Sequence, residues 1–313
     1  MELAIVLSLA ASLCTATASV CQRLGARRLE RDDGHQVHGF DPWLVFRLAR
    51  QPVWLLGFVS MLAGFAFQVS ALRFGPLALV QPILAVELLF VFGYLAMRTR
   101  SRGARRREWA AAIAMSAGIS VFLRAAAPTG GRDHAPASLW WLSGLAIAAA
   151  VGVAVAASSG GGPVHRAAFL GIATGLSWGF VAAVIKELSS HVAGGPAAIF
   201  TNWSAYVLMA VGTGAMLLAS HAVAAGPLAA SQPGFTIGDP VTAVLLGVFV
   251  FGERLGTSPA ALAAEVLGLV VLAAGVWTLS GSWLIIGAES GRADCKPGEP
   301  GEPVQRELTR RSR

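Results

Sequence analysis

Long apolar runs separated by short polar stretches dominate the chain. Nine of them approach the length of about 20 apolar residues that a helix needs to cross a bilayer. They cover residues 3–22, 52–73, 76–97, 108–124, 139–157, 167–188, 196–219, 226–252 and 258–280. Residues 281–289 are too few for a tenth span. The pattern predicts an all-α polytopic integral membrane protein with about nine transmembrane helices.

The third and eighth runs open on nearly the same eight residues. Residues 75–82 read GPLALVQP and residues 226–233 read GPLAASQP, with six identical positions. Each copy places a proline inside an apolar run, where it removes a helical hydrogen bond and breaks or kinks the helix. Interrupted helices at matching places in two halves are typical of the binding sites of secondary transporters.

The first and sixth runs also match, because both carry a small residue at every fourth position. These residues are Ala4, Ser8, Ser12 and Ala16 in the first run, and Gly171, Gly175, Gly179 and Ala183 in the sixth. Such stripes let membrane helices approach closely. Five spans separate the two runs, so the second copy enters the membrane from the opposite face. We predict inverted repeats over residues 1–157 (five spans) and 158–288 (four spans), followed by a disordered cytoplasmic tail over residues 289–313.

Composition excludes a soluble enzyme and changes the meaning of the charge. The chain is 55% hydrophobic and 13% charged, against about 25% charged in a typical soluble domain. The net charge of +7 does not indicate nucleic acid, because the arginines cluster between the apolar runs. Basic residues in such loops are topology signals and contact lipid headgroups.

The distribution of basic residues over the loops predicts an orientation. With nine spans, 19 of the 24 Lys and Arg residues fall on one side of the membrane. The positive-inside rule then places the N-terminus outside and the C-terminus in the cytoplasm. Arginine greatly outnumbers lysine, which suggests a GC-rich bacterial genome, so we expect a bacterial inner (plasma) membrane.

The two GPLA-x-x-QP openings and the sequence of residues 245–255, LLGVFVFGERL, carry a family resemblance. The chain resembles the drug/metabolite transporter superfamily in its EamA-like form, over residues 1–280. The first repeat departs from that pattern, since its third run ends at residue 98 without Gly-Glu. Nine spans with an outside N-terminus are similar to the NIPA-like magnesium transporter branch. The resemblance implies a transporter, and its NIPA-like form implies a divalent cation.

Several polar side chains lie inside the predicted spans. Charged groups at membrane depth are costly and usually face a bundle interior or a water-filled path. Glu87 lies within the third run and Asp239 within the eighth, six and seven residues after the matching Gln81 and Gln232. Gln232, Thr236 and Asp239 share one helical face. The predicted substrate-binding residues are Gln81, Glu87, Gln232, Thr236, Asp239 and the mid-span Trp178.

The two carboxylates have a second interpretation as metal ligands. Carboxylate, amide and freed backbone oxygens suit a hard cation or a proton relay, so Glu87 and Asp239 are also candidate metal ligands. Glu265 is a third intramembrane acid, of uncertain depth. The alternative is that Asp239 only stabilises a kinked helix and binds no ligand.

The sequence therefore predicts a secondary transporter of a small solute or ion that works by alternating access. Its site would lie at the midplane between the third and eighth runs. A magnesium-type divalent cation transporter and a non-transporting membrane scaffold or sensor are the alternatives. No enzymatic activity and no cofactor are expected. The expected partners are a small-molecule or cation substrate and membrane lipids, but no nucleic acid; a homodimer stays open.

Overall fold

The computed structural model describes residues 1–33, 50–98, 106–226, 228–256 and 258–280. These residues form eleven α-helices and one short 3₁₀ turn, and no strand longer than an isolated bridge between Thr129 and Arg254. The helices are α1 Glu2–Asp33, α2 Pro52–Phe74, α3 Leu77–Leu84, α4 Glu87–Arg98, α5 Arg106–Ala126, α6 Ala137–Ser158, α7 Pro163–Ser189, α8 Gly195–Thr201, α9 Trp203–Ala225, α10 Leu228–Phe249 and α11 Pro259–Ser280. The predicted all-α class is confirmed.

Eight segments in the described part of the chain are long and apolar enough to cross a membrane. They are Glu2–Gln22, Pro52–Phe74, Leu77–Tyr94, Arg106–Ala126, Ala137–Ser158, Pro163–Ser189, Trp203–Ala225 and Pro259–Leu279. Large apolar side chains point outward on several of them, as on α6, where Trp141 and Leu145 are mostly exposed. The chain is therefore a multi-pass membrane protein.

The eighth predicted span corresponds to α10, which is not among these eight segments. Gln232 and Asp239 lie in its second and middle turns and lower its mean hydropathy. α10 nevertheless lies along α7. Just before α10, Gly226 lies beside Pro163, and just after α10, Glu253 lies beside Lys186. A count of nine spans stays a prediction.

The structure bears on the predicted elements at three places. The third run is broken after its proline, as predicted, since α3 ends two residues after Pro82 and α4 begins at Glu87. The eighth run was predicted to be broken or kinked, and it is not broken, since α10 is continuous through both of its prolines. The seventh run begins with the separate helix α8, because Asn202 is extended and caps α9 through the Ser204 N–H. The predicted tail over residues 289–313 lies outside the described residues.

The two predicted stripes of small residues pack where close approach is needed. Ser12 on α1 donates to the carbonyl of Ile83 on α3, and Ala4 contacts Gly75. On α7, a Cβ added at Gly175 would collide with the Gly234 carbonyl of α10. Each stripe therefore packs against a helix that carries the GPLA-x-x-QP motif. α1 packs against α3, and α7 packs against α10.

Candidate functional site

A cavity of about 900 Å³ lies among helices from both ends of the chain. Its walls come from α1, α2, α3, α4, α7, α9, α10 and α11. All six predicted substrate-binding residues line it: Gln81, Glu87, Trp178, Gln232, Thr236 and Asp239. Residues separated by up to 158 positions in the sequence are thus brought to one space, and the site is geometrically possible.

The break between α3 and α4 places two of these side chains. Pro82 has no N–H to donate to the Ala78 carbonyl, which weakens the helix at this point. Two turn residues follow the end of α3, and Glu87 is the first residue of α4. Its Oε1 accepts a hydrogen bond of 3.0 Å from the Ser19 hydroxyl of α1. Gln81 is 3% exposed, and its Nε2 has no hydrogen-bond partner within the described ranges.

The facing wall is a polar stripe on α10. Thr236 donates to the carbonyl of Gln232 at 2.9 Å, which keeps that helix turn closed beside Pro233. Asp239 is half-buried, and its shielded Oδ1 finds no hydrogen-bond partner in the part of the chain that the structure describes. Leaving a buried carboxylate oxygen unsatisfied costs free energy unless a ligand, ion or water binds it. Among the cavity groups, the Asp239 carboxylate therefore gains most from binding a hydrogen-bond donor.

The remaining lining is mostly apolar. Trp178 and Phe235 are half-buried at the cavity wall, and Gln68 adds a third amide. Glu265, the third intramembrane acid, does not line the cavity; it is 6% exposed on α11. The cavity lining therefore combines two carboxylates and three amides with aromatic and aliphatic side chains.

Glu87 and Asp239 were also predicted as metal ligands. Within the described residues, no group of three or more His, Cys, Asp or Glu side chains has a geometry that could hold a metal ion. Both carboxylates do line the same cavity. A cation bound there would be coordinated by these two carboxylates together with amide oxygens, backbone carbonyls or water.

Sequence reasoning missed a buried polar network at one end of the bundle. The Glu253 carboxylate accepts the backbone N–H groups of Leu77 and Ala78, the latter at 2.8 Å, and pairs with Lys186 at 2.8 Å. The side chains of Lys186 and Glu253 are 7% and 0% exposed. We call Gly75, Leu77, Ala78, Lys186 and Glu253 the Glu253 network.

A second missed contact lies at the same end. Glu187 accepts from the Ala135 N–H and lies 3.0 Å from His134 Nδ1, and the His134 ring packs edge-on against His191. These contacts join residues more than 50 positions apart, which no local spacing could indicate. Adjacent Lys and Glu at the end of an apolar helix were the available signal.

Comparison with known proteins adds one relative of unknown role. The chain is 29% identical over 257 residues to the uncharacterized protein Cgl0250/cg0304 of Corynebacterium glutamicum. The matched region covers 80% of this chain and 86% of the relative. No family model matches the chain. No solved structure matches it significantly.

Proposed function

We propose that this protein is a secondary transporter that moves a small solute or ion across a bacterial plasma membrane by alternating access. The observation that carries the proposal is the shared cavity of about 900 Å³, on which six residues predicted from repeat and span positions all lie. A carboxylate such as Asp239 is costly inside an apolar helical bundle, and such groups usually mark a substrate or ion path. A positively charged or hydrogen-bonding ligand in the cavity would offset this cost.

The depth of the acidic groups supports a midplane site. Asp239 is the twelfth of the 22 residues of α10, and Glu87 is the eleventh of the 18 residues of the segment Leu77–Tyr94. At about 1.5 Å per residue, Asp239 lies roughly 15 Å and Glu87 roughly 10 Å from the nearest end of its segment. In a hydrocarbon core of about 30 Å, both acids therefore lie well inside the membrane, and Asp239 lies near its middle.

The packing supports the inverted repeats. If residues 1–157 and 158–288 are equivalent, α3 corresponds to α10 and α5 to α11. Both equivalent pairs are in contact, as expected for helices next to a pseudo-two-fold axis. The parallel course of α7 and α10 favours nine spans, and with nine spans the positive-inside rule places the N-terminus outside and the C-terminus in the cytoplasm. We therefore keep the EamA-like drug/metabolite transporters as the proposed family, with the NIPA-like branch as the alternative within it.

Flux into proteoliposomes tests the proposal. Purified protein is reconstituted and assayed with amino acids, amines, nucleosides and divalent metals. We compare Asp239→Asn with Asp133→Asn, which makes the same chemical change on an exposed loop. The proposal expects flux of at least one solute, abolished by Asp239→Asn and retained by Asp133→Asn.

Each other outcome is informative. Metal flux alone, lost in Asp239→Asn and Glu87→Gln, selects the divalent cation transporter. A scaffold or sensor predicts no flux of any solute and a fold that is unchanged or stabilised when both acids are neutralised. That last result overturns the proposal.

A further inference from the structure

The charge of the cavity wall restricts what can bind. The lining comprises 25 residues, all in the described part of the chain, of which Glu87 and Asp239 are acidic and none is Lys, Arg or His. The nearby ammonium of Lys186 is held by Glu253 and the Gly75 carbonyl. An anionic solute would have no cation to pair with there, and burying an unpaired charge is strongly unfavourable. The wall therefore selects a positive charge.

The hydrogen-bonding groups show where that charge would lie. Glu87 already accepts from Ser19. The Oδ1 atom of Asp239 is buried and has no partner among the described groups. An ammonium group carries several N–H donors and would satisfy this oxygen with a charge-assisted hydrogen bond. Asp239 is thus the primary anchor, and Glu87 adds negative potential across the cavity.

The size and surface of the cavity show what is attached to the charge. A volume of about 900 Å³ lies at the upper end of small-molecule pockets, which span roughly 300–1,000 Å³. A bare metal ion would leave most of it unfilled. Trp178 and Phe235 face the space together with leucine, valine and methionine side chains. Aromatic faces attract cations, and the apolar side chains bury an apolar body.

We propose that the cavity binds an organic cation, an amine whose ammonium group pairs with Asp239 and whose apolar body packs against Trp178 and Phe235. This inference deepens the proposed transport function and rests on it for the biological role. Binding itself does not require that the protein transports. The Gln81 amide, which has no partner for Nε2 within the described ranges, would bind an acceptor on the same ligand or a water.

Three probes of equal size and different charge test the inference. Phenethylamine is the cation, 2-phenylethanol the neutral isostere and phenylacetate the anion. Binding to the purified protein in detergent is measured calorimetrically and by tryptophan fluorescence. We expect phenethylamine to bind at least about 10-fold more tightly than either isostere, because a charge-assisted pair is gained only with the cation.

Variants assign the contacts. Asp239→Asn should weaken phenethylamine binding by about 10-fold or more and leave 2-phenylethanol unchanged, whereas Asp133→Asn should change neither. Trp178→Leu should weaken both probes. Equal binding of all three probes, or cation binding that survives in both Asp239→Asn and Glu87→Gln, overturns the inference. Thermal melting of each variant confirms that it is folded.

Binding and flux separate this inference from the proposed function. Cation binding without flux of any solute would refute transport and leave the site intact. Flux of a metal or an anion without amine binding would refute the organic-cation site and leave transport intact.

Discussion

Removal of the Glu253 carboxylate should destabilise the protein more than any exposed acid does. In Glu253→Ala, the N–H groups of Leu77 and Ala78 at the start of α3 lose their acceptor. Among the described groups, Lys186 then keeps only the Gly75 carbonyl at 3.3 Å and the face of Phe251, whose ring centroid lies 5.1 Å from Nζ. Removing one partner of a buried ion pair costs about 3–5 kcal/mol, because the other charge is left uncompensated.

The measurement is the apparent melting temperature of the purified protein in detergent. At roughly 2–4 °C for each kcal/mol, the conversion for domains of about 150–250 residues, Glu253→Ala should lower it by at least about 6 °C. Glu2→Ala, which removes an exposed glutamate from the first turn of α1, should change it by less than about 4 °C, since exposed charges contribute less than about 1 kcal/mol.

A double substitution shows whether charge compensation is the cause. In Lys186→Met with Glu253→Gln, no buried charge is left, and the glutamine oxygen still accepts one N–H of α3. The double variant should therefore be more stable than Lys186→Met or Glu253→Gln alone, which gives a coupling between the two sites. If the effects simply add, or if Glu253→Ala melts like Glu2→Ala, the Glu253 network does not hold α3 in place and the reasoning is wrong.

Three further predictions test packing, the second missed contact and the orientation. Gly175→Ala should destabilise the protein by about 1–3 kcal/mol because its Cβ would meet the α10 backbone, whereas Gly214→Ala, which faces open space, should not; melting temperatures decide. Glu187→Gln should lower the melting temperature by a few degrees, since an amide loses the charge that faces its histidine partner, and an unchanged value would mean that the contact is not stabilising. In a chain with its native cysteines removed, Asp133→Cys should react with an impermeant maleimide from outside and Gly160→Cys only from the cytoplasm, and the reverse pattern would invert the proposed topology.

Most span positions could be predicted because the membrane imposes them. A helix in lipid must satisfy its own backbone hydrogen bonds over a fixed thickness, so apolar runs and helices nearly coincide, as for residues 52–73 and Pro52–Phe74. The end of α1 could not be predicted in this way. It continues to Asp33, beyond the apolar run, because arginine-rich sequence remains a good helix former outside the lipid.

The cavity residues could be predicted because they repeat. Gln81 and Gln232 follow the same motif, and the acidic side chains follow them at nearly equal offsets. The different fates of the two prolines could not be predicted. α3 stops after Pro82, whereas α10 passes through Pro233 because its backbone packs closely on the glycines of α7 and Thr236 bonds to the carbonyl of Gln232. Tertiary packing decided between a break and a continuous helix.

The Glu253 network could not be predicted because its members come from three distant segments, yet it bears directly on the proposed transport. α7 and α10 contact each other backbone to backbone at Gly171 and Gly175. The polar contacts that join this pair to the start of α3 are the two N–H groups that donate to Glu253 and the Lys186 ammonium that donates to the Gly75 carbonyl. In an alternating-access cycle that opens the cavity at this end, α3 must separate from the α7–α10 pair. These few strong polar contacts would then break together, and weakening them should shift the carrier towards the conformation that is open there.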